Sequence, residues 1–341
     1  MKPTRVVVVE SSPEERAHLV ATLDSGRDIT VVGQAAGAVD AIRMVQDLRP
    51  DVVILDLQIA GGGGQQVIEQ LMAFAPTPIL VLSASSAGRE SVEAVDALVA
   101  GAVDVLPKPT SRSRAEEEAM RAQVRLVGGV TVVRHPRARL APASRRATTA
   151  ADRRSAATPL VAIGASTGGP AALAEILGGL RGLGASVLVV QHLHPDFVGG
   201  LVSWMTRVSP LPVELARHGE GLRAGVAYIA PGDTHLRVGP DDAIVLDPSP
   251  EMLHRPSVDV LFSSLAEREG GVNVAVLLTG MGDDGANGML ALRRRGDVTI
   301  AQDEATSVVF GMPRAAQRLG AAAHVVPLDR IAPTIIRALR S

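Results

Sequence analysis

Short runs of β-branched and aliphatic residues recur along this chain at intervals that leave room for one helix between each pair, and that rhythm limits the possible folds more than any other feature. In the first part the runs are residues 5–9, 29–34, 52–55, 78–83 and 103–106, with helix-like segments at 14–23, 39–48, 65–74 and 91–100 between them. Parallel strands need a crossover connection, and a helix of this length supplies it while covering a face of the sheet. The four valines at 6–9 form an unbroken apolar run, as expected of a strand buried on both faces. Residues 1–110 are therefore expected to form an open, five-stranded parallel (βα)5 domain. The rhythm resumes over residues 158–341, with strands expected near 160–163, 186–191, 226–229, 274–278, 298–301 and 324–326. An accessory hairpin is expected from 235–238 and 243–246. This is a second, larger α/β domain, doubly wound and mostly parallel.

Between the two, residues 111–157 are rich in Arg, Ala, Thr and Ser and carry few long apolar runs. They read as a linker, whose early part (116–127) can extend the first domain as a helix. Residues 134–158 read as a solvated tether, with solubilising arginines.

A length of 341 residues accommodates two domains with separate cores. The net charge of −2 gives no broad basic face, and aromatics at 2% leave no stacking platform, so nucleic acid is not an expected partner. Cysteine is absent, which excludes disulfides and thiolate metal sites and fits a reducing, cytoplasmic setting. No apolar run approaches the roughly 20 residues that span a bilayer. The apolar part of residues 1–9 is too short for a signal peptide, so no membrane insertion is expected.

Within the second domain, an apolar run breaks into Gly164-Ala165-Ser166-Thr167-Gly168, followed by Gly169, Pro170 and an Ala/Leu-rich segment. The spacing is that of a nucleophile elbow, where a serine on a tight strand-to-helix turn has its hydroxyl thrust out beside free helix N–H groups. A serine nucleophile needs a base, and the base needs a carboxylate that fixes its tautomer. His192 follows the run at 186–191, and Asp283 and Asp284 follow the run at 274–278. In a parallel sheet all three stand at carboxyl strand ends, where such folds bind ligands. The chain order Ser, His, Asp differs from that of α/β-hydrolases. Other readings stay open from these residues alone. The glycine-rich turn can cradle a phosphate, although G-x-G-x-x-G and its acidic partner are missing. His192 and His194 form a His-x-His pair, but no carboxylate cluster adjoins it.

Several stretches together resemble the catalytic domain of the CheB family of chemotaxis protein-glutamate methylesterases. They are the Ser166 turn extended to Pro170, Gln191-His192, residues 228–232 (YIAPG), 254–260 (HRPSVDV), 278–282 (LTGMG), 284–286 (DGA) and 302–313 (QDEATSVVFGMP). The resemblance implies Ser166 as nucleophile, His192 as base and Asp284 as the orienting carboxylate, leaving Asp283 at a variable position and His194 incidental. The backbone N–H groups of Thr167 and Met281 are the expected oxyanion donors. The implied reaction is hydrolysis of glutamate γ-methyl esters on the cytoplasmic helices of methyl-accepting chemoreceptors, with deamidation of particular glutamines. It requires no metal or organic cofactor.

Residues 1–110 resemble a response-regulator receiver. The resemblance implies Asp56 as phosphoacceptor, Ser83 as the hydroxyl that contacts the phosphoryl group and Lys108 as its ion-pairing lysine, with a chemotaxis-type histidine kinase upstream. A receiver also expects two acidic residues after the first strand, which bind Mg²⁺ together with the phosphoacceptor. This chain has Glu10 and Ser11 there. Glu10 is longer than Asp and Ser11 removes a charge, so weakened Mg²⁺ binding and slow phosphorylation are expected. The residues after Asp56, at 59–64, are Ile-Ala-Gly-Gly-Gly-Gly, and Val105 stands where an aromatic residue is common in receivers. A degenerate receiver leaves a second class of function open: a regulatory adaptor in a chemosensory array, independent of phosphorylation.

Overall fold

The computed structural model describes residues 2–59, 63–83, 89–109, 113–130 and 158–340. The chain divides into two compact units, the first within residues 1–139 and the second within 140–341. The first alternates strand and helix throughout: β1 (Thr4–Val9), α1 (Pro13–Leu23), β2 (Ile29–Ala35), α2 (Ala38–Leu48), β3 (Val52–Asp56), α3 (Gly63–Phe74), β4 (Ile79–Ser83), α4 (Arg89–Ala100), β5 (Asp104–Pro107) and α5 (Arg114–Gly128). The strands pair in parallel in the order β2-β1-β3-β4-β5. Every residue of β3 and β4 is buried, because helices cover both faces.

The last helix occupies the early part of the segment after residue 110. Ser113 caps α5 by accepting from the Glu116 amide at 3.3 Å, and Glu116 and Glu117 complement its first turn. Met120, Val124 and Val127 form an i, i+4, i+7 stripe that joins Val6, Ile54 and Leu80 in the core. Arg121, buried in the same face, bonds the Thr22 carbonyl at 3.0 Å and also reaches Leu23 and Asp28. Residues 114–128 thus pack on the first unit as a helix, in line with the helix expected over 116–127. The remainder of the expected linker, 131–157, lies outside the described residues.

The second unit contains β6 (Leu160–Ala165), α6 (Gly169–Gly179), β7 (Ser186–Gln191), α7 (Pro195–Val208), β8 (Val213–Leu215), β9 (Ala227–Ile229), β10 (His235–Val238), β11 (Ile244–Asp247), α8 (Val258–Glu267), β12 (Asn273–Leu277), α9 (Ala286–Arg295), β13 (Val298–Gln302), α10 (Met312–Arg318), β14 (His324–Val326) and α11 (Leu328–Ala338). Its parallel seven-stranded sheet runs β14-β13-β12-β6-β7-β9-β8. The short edge strand β8 has no counterpart among the expected runs. Its three residues are too few to show a pattern, and it exists through pairing with β9. The expected hairpin is present as the antiparallel pair β10/β11.

Strand order places the site. From β6 the chain moves outward one way through β7, and later returns on the other side of β6 as β12. The crevice between oppositely directed connections lies at the carboxyl ends of β6 and β12, flanked by β7. Among the described residues, no helix is long and apolar enough to cross a membrane.

Candidate active site

Ser166 leaves β6 directly into the turn that starts α6. Its carbonyl accepts from the Gly169 amide and from Gln191 Nε2, both at 2.8 Å, and its own amide donates to the Thr279 carbonyl at 3.1 Å. Thr279 Oγ1 donates to the Thr167 carbonyl at 2.9 Å. The loops after β6, β7 and β12 are thus bonded to one another, which holds the serine backbone from two sides. Gly168, capping α6, has φ of 78°, and a Cβ there would stand 2.7 Å from Val308 Cβ. Only glycine meets both conditions.

His192 continues from β7, its amide bonded to the Ala165 carbonyl at 2.9 Å. Its ring is nearly buried, and Nε2 lies 2.8 Å from Asp284 Oδ2. Asp284 is anionic at neutral pH, so in the neutral imidazole Nε2 carries the proton and Nδ1 the lone pair. Nδ1 is buried, with no partner among the described residues. A buried imidazole nitrogen without a partner is costly in a static fold and is the atom a base needs.

Asp284 is held by more than His192. Oδ1 accepts from Ser257 Oγ at 2.7 Å and the Asp259 amide at 3.0 Å, while Oδ2 also accepts from the Val258 amide at 2.7 Å. These donors are the N-cap and first turn of α8, so the carboxylate occupies the anion site of a helix N-terminus. Burial works against its charge, but His192 and these amides bring its pKa down to about 2. The arrangement is reciprocal: Asp259, in the first turn of α8, accepts from the Gly288 amide of α9 at 2.7 Å. Burial, with Asp284 nearby, raises the pKa of Asp259.

The loop after β12 carries Met281. The Gly280 amide donates to Val309, and its carbonyl accepts from Gly311 and Met312. Among the described residues, the backbone N–H groups of Thr167 and Met281 have no protein acceptor, as oxyanion donors require. Gln302 Oε1 accepts from the Thr279 amide at 2.8 Å. The 302–313 stretch therefore acts as a brace under this loop. A Cβ at Gly280 would lie 2.7 Å from Ser166 Cβ and would also strike the buried Met312. Gly280→Ala is expected to leave a folded protein, checked by circular dichroism, and to lower kcat by about 10²-fold through a displaced serine.

Asp283 is exposed and makes no part of this array. His194 caps α7, accepting from the Asp196 amide at 3.4 Å, and among the described residues it joins no cluster of three or more metal-ligating side chains with His192. Three further residues contribute: Ser257 and His254, both within the 254–260 stretch but with no role assigned from sequence, and His235, outside every stretch that carries the resemblance. Ser257 was findable as a serine one residue before an apolar helical run. Buried His235 pins the loop ahead of α8, and His254 stacks on His192; neither has a local signal.

In the first unit, Asp56 ends β3 and Ser83 ends β4, both buried, and Lys108 follows β5. Lys108 Nζ bridges Glu10 Oε2 at 3.0 Å and Asp56 Oδ2 at 2.8 Å. Partial burial disfavours its charge, but Asp56 and then Glu10 outweigh that and raise its pKa. The remaining oxygens accept backbone amides, Glu10 Oε1 from Ser12 and Asp56 Oδ1 from Gln58. Ser11 Oγ faces the Gln58 carbonyl at 3.4 Å. Two carboxylates and a hydroxyl are oxygen ligands of the kind Mg²⁺ takes, which is consistent with its use. Among the described residues no third acidic or histidine ligand joins them.

The CheB methylesterase family model matches residues 161–335, and the response regulator receiver domain model matches residues 6–119. The chain belongs to the CheB methylesterase family. A relative from Anaeromyxobacter dehalogenans, named protein-glutamate methylesterase/protein-glutamine glutaminase 2, is 42% identical over 99% of this chain and 97% of its own length. One of the same name from Pseudomonas aeruginosa is 39% identical over 98% and 97%. The crystal structure of the Thermotoga maritima CheB methylesterase catalytic domain is 37% identical, with a TM-score of 0.50. It covers 53% of this chain and 98% of that one. The match accounts for the methylesterase unit, and the receiver model accounts for the unit before it.

Proposed function

We propose that this CheB methylesterase hydrolyses glutamate γ-methyl esters of methyl-accepting chemoreceptors, and deamidates specific receptor glutamines, with Ser166, His192 and Asp284 as its catalytic residues. The observation that carries the reading is the division of labour on His192: Nε2 is committed to Asp284, and Nδ1 is buried with no partner among the described residues. Ser166 Oγ bonds to the ester carbonyl carbon as its proton passes to Nδ1. The carbonyl oxygen becomes an oxyanion held by the Thr167 and Met281 amides. Collapse breaks the bond to methoxide, which takes the proton from Nδ1 and leaves as methanol. Water then attacks the acyl-enzyme with His192 again as base, and the glutamate is released with Ser166 restored. With glutamine the leaving group is ammonia. The cytoplasm is the compartment of this activity, matching a chain without cysteine. The test is methanol release from methylated receptor fragments, run with and without a phosphodonor. Release that is equal for the protein and a Ser166→Ala variant rejects the reading.

Asp56 is the phosphoacceptor for a chemotaxis-type histidine kinase in this proposal, and the receiver is an atypical one. Lys108 already bridges both carboxylates, and Ser11 supplies no charge where a second acid would hold the ion. Mg²⁺-dependent beryllofluoride binding, measured by calorimetry, is expected to be weak. Ser11→Asp, which restores a carboxylate, is expected to tighten it about 10-fold or more. Equal affinity in the two proteins would show that the serine costs the receiver nothing.

A further inference from the structure

The ring of His254 lies flat against that of His192, with centroids 4.1 Å apart and planes inclined by 16°. We propose that His254 is a positioning residue for the base: an aromatic plate that keeps the His192 ring aligned and favours its charged form during turnover. The inference rests on the reading of His192 as the base.

A single hydrogen bond from Nε2 to Asp284 leaves the imidazole free to tilt about that contact. A flat neighbour on one face removes the tilt, so Nδ1 keeps its aim while protons move on and off. The stack also distinguishes the two states of His192. Two neutral rings attract modestly, whereas an imidazolium over a neutral π face gains a cation–π attraction. Charge on His192 develops in the transition state, so this contact grows there and raises kcat more than binding.

The plate serves only while His254 is neutral, because two imidazolium rings at this separation repel. Burial, and then His192, lower the pKa of His254, against a smaller opposing pull from Asp284 and Asp283. Those are the charged groups facing it from the β7 and β12 loops. The loop bearing His254 is fixed on both sides. Buried His235 donates from Nε2 to the Pro250 carbonyl at 2.9 Å and accepts at Nδ1 from the Ser257 amide at 3.0 Å. Ser257 in turn holds Asp284. Plate and carboxylate therefore share one frame.

The experiment compares His254→Ala and His254→Phe in the full chain, by methanol release across the histidine range, about pH 5.5 to 9. His254→Ala is expected to lower kcat roughly 3- to 30-fold with KM little changed, and to shift the acid limb to lower pH, because the imidazolium has lost its partner. His254→Phe, flat and aromatic, is expected to restore both. Ring NMR of His192 in the same variants reads the stack without turnover, and its titration midpoint should fall in the Ala variant and recover in the Phe variant. An unchanged midpoint overturns the proposal, as does unchanged kcat in the Ala variant. A Phe variant as slow as the Ala variant also overturns it, since His254 would then move protons itself. A Ser166→Ala control that still releases methanol rejects the esterase reading instead, and the NMR result continues to judge the stack.

Discussion

Ser166→Ala is expected to lower methanol release by about 10⁴-fold or more, with no loss of stability. Removing the nucleophile of such a set costs about as much as removing the whole set, because the members act as a unit. The residual rate would come from the amides of Thr167 and Met281, which remain in place. Stability should hold because the Ser166 hydroxyl carries none of the bonds that brace the turn: its carbonyl and amide carry them, to Gly169, Gln191 and Thr279. Steady-state kinetics and a thermal melt on the same preparation check both halves. A variant within about tenfold of the parent rate would rule out acyl transfer through this serine.

Asp284→Asn is expected to be the second most damaging change, and to harm stability as well. The carboxylate accepts from four donors, two on each oxygen. An amide presents one acceptor and one donor. Whichever way it is turned, its NH₂ faces at least one N–H or O–H that has lost its acceptor. With the NH₂ toward His192, the imidazole must place its proton on Nδ1 to accept, and the base is then blocked. The corresponding change in other triads costs about 10⁴-fold through the same tautomer error. The folded pKa of about 2, below the ordinary 3.8, means that the charge stabilises the fold above about pH 4. That stabilisation is lost as pH falls through 2 and amounts to on the order of 2 kcal/mol. The Asn variant should therefore melt lower than the parent at neutral pH and approach it in strong acid. A parent-like melt at neutral pH would mean that α8 does not depend on this anion.

Much of the fold was legible because its strands are buried on both faces. Continuous runs such as residues 160–165 and 186–191 cannot be mistaken for half-exposed strands, and their spacing demands parallel pairing. The three-residue β8 was not legible, since pairing with β9 alone defines it. A helix over 116–127 extending the first domain was legible within the segment after residue 110, although its extent was not, because α5 has a polar outer face. Its core stripe of Met120, Val124 and Val127 becomes informative only against the sheet it covers.

The sequence by itself determined which residues stand at strand ends: Ser166 after β6, His192 after β7 and Asp284 beyond β12, since strand and turn propensities act over a few residues. Tertiary structure alone decided that these ends are neighbours, because β12 inserts beside β6 across more than a hundred residues of chain. It also decided which nitrogen of His192 meets Asp284, which helix N-terminus holds Asp284, and that the His254 ring lies against that of His192. Those are contacts between segments distant along the chain, and local pattern carries no record of them. In the receiver, the loss of an acid at Ser11 is written in the sequence. That Lys108 spans Glu10 and Asp56 is a property of the folded pocket, where three strand ends converge.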